Sequence, residues 1–541
     1  MIQRFDLIYN FVLRSHLLTF AAALALMGCG PDRVARPKGV LVAAIGSDPG
    51  HLNSAITTNG GVHTAADLLY DGLVELDASL RPVPGLAERW EVEESGALYR
   101  FHLRKDVRWH DGRPFTSADV KFTFEELLLR FHARTRASVG PSLHSIETPD
   151  AGTVVFRFKQ PYAPFLQQVD VVEAPILPKH IYLGTDPLKN PRNLAPIGTG
   201  PFRFVSYAPD AEIRYRANRD YFGAKPGIDE LVLRVIPDAG TQVLALEAGE
   251  VDWLFSVPGA QLARLRGNPR IRFLRNSLSP GGSNCVTTLA FNLDRPSWAD
   301  ARVRLAIAHA IDRQLFLTRA LFGEGRVAET SISSGIKSAH APDLRSPAFH
   351  PQEAARLLDE AGWKIEDGRT RVARGVTGVL EGERLTLAFK YFPNQTDYGN
   401  LLRAQLAAIG VEVKLEPLDA PVLVQAVFAQ RDFDTALIPY CNGADPEIGV
   451  RRMFVSSSVA PIPFSNAAGY KNKEMDALFD RAARSIDPEE RRVVYRRIQE
   501  LALRDLPYIP LVETEGTRAY DQRCQGLNGT SHFAATARCD S

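Results

Sequence analysis

Residues 400–418 read Asn400-Leu401-Leu402-Arg403-Ala404-Gln405-Leu406-Ala407-Ala408-Ile409-Gly410-Val411-Glu412-Val413-Lys414-Leu415-Glu416-Pro417-Leu418. The first half reads as helix, and Gly410 interrupts it. Val411-Glu412-Val413-Lys414-Leu415 then alternates with a period of two, the pattern of a half-buried strand. Helix, glycine, strand is half of a βαβ unit. Similar alternation occurs in Leu385–Phe389, Leu231–Val235 and Val154–Phe158, and a strand-like run, 39–45, opens the folded body. Helical signals interleave with these. Pro351 begins a helix with an apolar face of Ala355, Leu358 and Ala361, stopped by Gly362. Asp487-Pro488-Glu489 is a capped helix start, followed by Val493, Val494, Ile498 and Leu501 at helical spacing and ended by Pro507. The chain is therefore α/β. Its first half is richer in strands than its second, which predicts two lobes of different character with a cleft between them.

The 541 residues are 45% hydrophobic and 23% charged, with a formal net charge of +1. That balance excludes a strongly basic nucleic-acid binder and gives no reason to expect an anionic membrane surface as partner. No repeat or low-complexity block is present.

The N-terminus differs from the rest. Arg4 and Arg14 precede an apolar run from Leu17 to Met27, too short to span a bilayer and suited to a signal peptide. The run ends Leu26-Met27-Gly28-Cys29, which resembles a bacterial lipobox. Residues 1–28 are thus expected to be removed and Cys29 to be lipidated, tethering the protein through residues 29–38. Four cysteines remain: Cys285, Cys441, Cys524 and Cys539. An even number in an oxidising compartment suggests disulfides, with three possible connectivities. Cys524 with Cys539 and Cys285 with Cys441 is the expected pairing, and buried thiols are the alternative.

Several blocks resemble the extracellular solute-binding proteins of the peptide/nickel class, family 5. They are Ser47–Asn53, Leu69–Val74, Pro84–Trp90, Tyr99–Phe115 (YRFHLRKDVRWHDGRPF), Gly198–Phe202, Phe291–Leu293, Ala361–Trp363 and Leu506–Leu511. The resemblance covers essentially the whole mature chain in family order. It implies a type II periplasmic-binding-protein fold, with two lobes around a cleft and an extra inserted subdomain. Lobe I would comprise 39–80, 194–288 and 508–541, the subdomain 81–193, and lobe II 289–507. Crossovers near 288 and 507 would form the hinge, and ligand binding would close the lobes.

The same resemblance directs attention to Tyr440-Cys441-Asn442-Gly443-Ala444-Asp445-Pro446-Glu447. In peptide binders of the family, an Asp in a similar aromatic-rich segment receives the ligand's α-ammonium. By position that residue is Asp445, with Tyr440 beside it where relatives often have Trp. The alternative for Asp445-Pro446 is a helix cap. Arg451 or Arg452 is a candidate for a ligand carboxylate, because guanidinium matches carboxylate bidentately; the alternative is a solvated helix face. His51, Asn53 and Asn292 sit in blocks that line the cleft in relatives.

His51, His63, His110, His132 and His144 show no HxH or HxxxH spacing, so no metal site is expected. No GxSxG, HExxH or phosphate-loop pattern is present, so neither catalysis nor a cofactor is expected. The expected function is the substrate-binding component of an ABC importer, monomeric and lipid-anchored in the periplasm or at the cell surface, passing a peptide-like solute to membrane permease subunits. A ligand-sensing receptor, or a binder of an opine, sugar or nickel chelate, is the alternative.

Overall fold

The computed structural model of the protein describes residues 37–276, 284–366 and 368–540. The expected signal segment, Cys29 and most of the expected tether lie outside the described residues.

The half-unit read from residues 400–418 is completed by the strand before it. Strands Thr386–Tyr391 and Glu412–Pro417 pair in parallel, with helix Thr396–Ala407 crossing between them. The helix buries Tyr398, Gly399, Leu402 and Leu406. Gly410 has φ +79°, a left-handed turn that a β-carbon would crowd against Arg369 and Arg371. This unit forms one edge of a six-stranded sheet in the order Arg326–Val327, Tyr508–Glu513, Cys285–Phe291, Thr435–Cys441, Thr386–Tyr391, Glu412–Pro417.

A seven-stranded sheet builds the other lobe. Its order is Ile271–Asn276, Gly516–Asp521, Trp253–Leu254, Val40–Ile45, Glu230–Val235, Glu212–Ala217, Phe202–Ala208. A separate four-stranded sheet, Ala87–Glu93, Leu98–Leu103, Thr153–Phe158, Leu143–Asp150, lies within the inserted segment.

The lobe boundaries differ from those expected. Cys285–Phe291 and Tyr508–Glu513 were assigned wholly or partly to lobe I, yet they pair with each other at the centre of the six-stranded sheet. Every residue of both strands is buried. Strands buried on both faces in this way need cover from both sides, which an interior position in the sheet supplies. Ile271–Asn276 and Gly516–Asp521 belong to the seven-stranded sheet, whereas Cys285–Phe291 and Tyr508–Glu513 belong to the six-stranded one.

Two helices show where a periodic reading slips. Helix Pro351–Glu360 buries Ala354, Leu357 and Leu358, and Ala355 sits on its flank. Helix Pro488–Asp505 is capped by Asp487, whose side chain accepts from the Glu489 amide at 2.9 Å. It buries Val494, Ile498 and Leu501, but Val493 is 60% exposed. Adjacent residues on a helix lie about 100° apart, so only one valine of the pair faces the core.

The block YRFHLRKDVRWHDGRPF docks the inserted subdomain onto lobe I. Its strand part is Leu98–Leu103, and Val107, Trp109 and Phe115 are buried beyond it. His110 reaches the Gly198–Gly200 loop. Its Nδ1 accepts from the Gly198 amide at 3.2 Å, and Nε2 donates to the Gly200 carbonyl at 3.0 Å. Burial lowers the His110 pKa to about 4, so the ring stays neutral and uses both nitrogens. Gly198 and Gly200 in turn lie against the backbone of Leu69, where a β-carbon on Gly198 would overlap the Leu69 carbonyl. Glycine is required there by close approach of two backbones.

Disulfides join Cys285 to Cys441 and Cys524 to Cys539. The first links directly opposed residues on neighbouring antiparallel strands, and the second closes the C-terminal segment onto itself. Closing a loop of about 15 residues stabilises by roughly 3 kcal/mol through the unfolded chain. The double substitution Cys524→Ser with Cys539→Ser is expected to lower unfolding free energy by about that amount, read by urea denaturation. A variant as stable as the parent would show that the bridge is redundant.

Candidate functional site

A cavity of about 540 Å³ lies between the lobes, within the range of small-ligand sites. All three parts of the fold line it. Lobe I contributes helix Gly60–Ala66, strand Gly516–Asp521 and the C-terminal segment; the inserted subdomain contributes Arg134 and the Gln167–Glu173 turn; lobe II contributes the end of strand Thr435–Cys441 and the turns after it.

Local structure fixes the charged lining. Asn59 caps helix Gly60–Ala66, accepting from the Gly61 amide at 2.8 Å, and this presents His63 with Asp67 one turn later. His63 Nδ1 lies 3.1 Å from the Asp67 carboxylate. Burial opposes a charge on His63, but Asp67 outweighs it and raises the pKa. Arg134 is paired with Glu173 at 2.9 Å. Asp170 is different. Its carboxylate accepts only from the Glu173 amide, at 3.1 Å, and has no ion-paired cation among the described residues. Burial, then repulsion from Glu173 and Asp67, pushes its pKa up to about 7. Arg452 and Arg518 bring positive charge from lobe II and lobe I respectively.

The residues singled out in the sequence fare unevenly. Within Tyr440–Asp445 the structure brings Cys441, Gly443 and Ala444 to the cavity and turns Tyr440 and Asp445 away from it. Tyr440 is fully buried and donates to the Ser465 carbonyl at 2.8 Å. Asp445 caps the helix Pro446–Gly449 and binds Arg491 bidentately, at 2.8 and 3.0 Å. Asp445 is thus ion-paired inside the fold and is not among the residues lining the cavity, a different setting from the one expected of an ammonium receptor. Arg451 is held by Glu447 and Asp480 rather than by the cleft. Arg452 alone of the seven candidates lines the cavity.

The remaining three do framework work. Asn53 donates to Asn193 at 2.9 Å and caps the turn at Ser54–Ile56. The His51 ring accepts from the Asn53 amide at 3.2 Å. Asn292 donates to the carbonyls of Arg431 and Phe433. None of the three is among the residues that line the cavity.

Asp67, Asp170, Glu173, Arg134 and Arg518 were not anticipated. One signal was available: Asp170 and Glu173 interrupt the otherwise apolar run Val169–Leu177, and acids inside such a run are buried with a reason. Arg518 carried no comparable signal.

Among the described residues, Asp71, Glu75 and His532 bring ligand-type atoms within 4.8 Å of one another. Asp71 is already bonded by Thr199 and Tyr221, and His532 Nε2 donates to the carbonyls of Asp67 and Tyr70. Burial opposes charge on His532, and Asp71 and Glu75 raise its pKa against it. The cluster ties the C-terminal segment to the floor under the cleft.

With this geometry in hand, the comparisons are decisive at the level of family. Residues 81–460 match the model of the bacterial extracellular solute-binding proteins, family 5, and the chain belongs to that family. Its fold is the type II periplasmic-binding-protein fold, two lobes around a cleft with an inserted subdomain. The oligopeptide-binding protein AppA of Bacillus subtilis is 28% identical over 501 residues, covering 90% of this chain and 88% of its own. Heme-binding protein A of Haemophilus influenzae is 27% identical over 551 residues, covering 95% and 96%. The solved structure of AppA with a nonapeptide aligns with a TM-score of 0.75 at 26% identity, covering 94% of this chain and all (100%) of that one. No helix among the described residues is long and apolar enough to cross a membrane.

Two predictions follow from the charges. Asp445→Ala leaves the Arg491 guanidinium buried without its partner and is expected to cost about 3–5 kcal/mol of stability in urea denaturation. A loss below about 1 kcal/mol would show that Arg491 finds another acceptor.

Asp170 makes stability depend on pH. Its pKa rises from 3.8 in the unfolded chain to about 7 when folded. The contribution is therefore fully present below about pH 4 and lost as pH rises to about 7, because the folded form retains a proton the unfolded form has released. Asp170→Asn should flatten the decline between pH 4.5 and 7.5, measured by denaturation at each pH. Glu447, also raised to about 7 by burial, leaves a residual slope in the same window. An unaltered slope in the variant would show that Asp170 is ionised in the fold.

Proposed function

We propose that this chain is the substrate-binding component of an ABC importer and captures a peptide-like solute in the interlobe cavity. The observation that carries the reading is a cavity bounded by all three parts of the fold, with buried charges of both signs on its walls. A zwitterionic solute satisfies such a lining. Its cationic group meets Asp170, which has no cation of its own among the described residues, and its anionic end meets the arginine side. Charge-assisted hydrogen bonds of this kind are worth on the order of 1.5–3 kcal/mol each. Contacts from both lobes stabilise the closed form, and the closed form docks on membrane permease subunits. AppA, which binds oligopeptides, supports a peptide-like cargo. ATP hydrolysis belongs to other subunits, and the chain itself acts as a monomeric binder without catalysis.

The lipobox-like Leu26-Met27-Gly28-Cys29 supports export with lipidation at Cys29, which would hold the protein on the membrane outside the cytoplasm. Cys29→Ser is expected to release the protein from the membrane fraction or block its processing. An unchanged membrane fraction with unchanged mass would remove the anchor.

Cargo is tested by a thermal-shift screen with short peptides, amino acids, opines, oligosaccharides and nickel chelates. A ligand at 100 times its Kd stabilises by about 2.7 kcal/mol. Shifts with free peptides that fade on N-acetylation are expected, and that fading should be weakened in Asp170→Asn. Shifts confined to another class would keep the transport role and overturn the peptide cargo.

A further inference from the structure

Three side chains that no local pattern joins meet outside the cavity, where the C-terminal segment packs on lobe I. Asp71 follows Tyr70, Glu75 lies in the short strand Val74–Leu76, and His532 comes from the far end of the chain. One ligand-type atom from each lies within 4.8 Å of the other two.

Two of the three are braced. His532 is only 9% exposed, and its Nε2 donates to the carbonyls of Asp67 at 2.8 Å and Tyr70 at 2.9 Å. A ring nitrogen shared by two carbonyls carries the hydrogen, so the lone pair of the neutral ring sits on Nδ1. Nδ1 has no hydrogen-bond partner among the described residues. The Tyr221 hydroxyl donates to one Asp71 oxygen at 2.7 Å and the Thr199 hydroxyl to the other at 2.6 Å, which leaves each oxygen a further lone pair. Glu75 makes no hydrogen bond or ion pair among the described residues. Burial raises the pKa of both carboxyls, the mark of acids short of positive charge. A proton on Nδ1 answers part of that shortage, yet no hydrogen bond joins the ring to either carboxylate among the described residues.

An unpartnered imidazole nitrogen, an unpartnered carboxylate and a braced carboxylate have one common complement, a divalent cation. Ligand atoms around such an ion at about 2.1 Å lie roughly 3–4 Å from one another, so small side-chain rotations close the gap. The mixed nitrogen and oxygen donors favour zinc or manganese over calcium and magnesium, which take oxygen. The carbonyls behind His532 and the hydroxyls behind Asp71 are the outer contacts that orient metal ligands.

We propose that Asp71, Glu75 and His532 Nδ1 form a binding site for one divalent cation of the zinc or manganese class, which pins the C-terminal segment to lobe I. Thr530, Ser531 and Phe533 of that segment line the interlobe cavity, so the cation would hold part of the cavity wall in place. The site is distinct from the cavity and does not depend on what the cavity carries.

The test is calorimetric titration of the full mature chain, stripped of metal by a chelator and dialysed, with zinc, manganese, magnesium and calcium. Zinc or manganese should bind at about one ion per chain, at least tenfold more tightly than magnesium or calcium. Glu75→Gln removes the least buried of the three ligands and is the variant least able to disturb the fold; it should weaken binding at least tenfold, as should His532→Gln. Hydrogen exchange gives a second readout: zinc should slow exchange in residues 526–540 of the parent and leave Glu75→Gln unchanged. A parent that binds neither zinc nor manganese overturns the site. So does a Glu75→Gln variant of parental affinity, which would put the ion elsewhere, or zinc binding that leaves exchange in the C-terminal segment unaltered. Cargo is read separately in the thermal-shift screen, and its failure there leaves this site standing.

Discussion

The antiparallel ladder between Cys285–Phe291 and Tyr508–Glu513 is the constraint on which the rest of the molecule hangs. Both strands are buried along their whole length and lie side by side at the centre of the six-stranded sheet. One receives the chain as it arrives from the first lobe, and the other sends it back. Asn284, just before the first strand, and Cys441, opposite Cys285, both line the cavity, so the cavity opens at that end of the ladder. The bridge from Cys285 to Cys441 joins the two strands where Cys441 lines the cavity wall.

The cavity is a place where electrostatics is left unfinished. Elsewhere the buried charges are closed accounts of donors and acceptors: Asp445 with Arg491, Arg451 with Glu447 and Asp480, Arg304 with the carbonyls of Trp298, Ala299 and Asp505. In the cleft, Asp170, Arg452 and Arg518 form no ion pair among the described residues. Desolvated groups without partners are expensive, and a binding protein recovers that expense when a complementary ligand arrives. The same groups impose selectivity, since a ligand lacking the complementary charge leaves them buried and unpaired.

Much of the framework was legible in local patterns. The Asp487-Pro488-Glu489 start, the alternation at Val411–Leu415 and Gly410 each act through neighbours within a few residues, where sequence and structure are the same object. The Tyr99–Phe115 block was legible as family resemblance, although its job, anchoring the subdomain through His110 on a glycine loop almost ninety residues later, was not. The candidate site was the least legible part. Asp445 lies in a segment that reaches the cavity, but its partner Arg491 is 46 residues away, and no local pattern announces that pair. Val493 was given to the core because two adjacent valines cannot be ranked without knowing which face is covered.

The sequence by itself determined the class of fold, the order of strands and helices along most of the chain, and the even set of cysteines that pair in it. These follow from short-range periodicity, capping and composition, which are written in consecutive residues. Only the tertiary structure decided which charges face the cleft. Arg518, Asp170 and Arg452 come from three separate parts of the fold. Whether a carboxylate or guanidinium is satisfied depends on what the folded chain brings within about 3 Å of it, a distance that sequence separation does not encode.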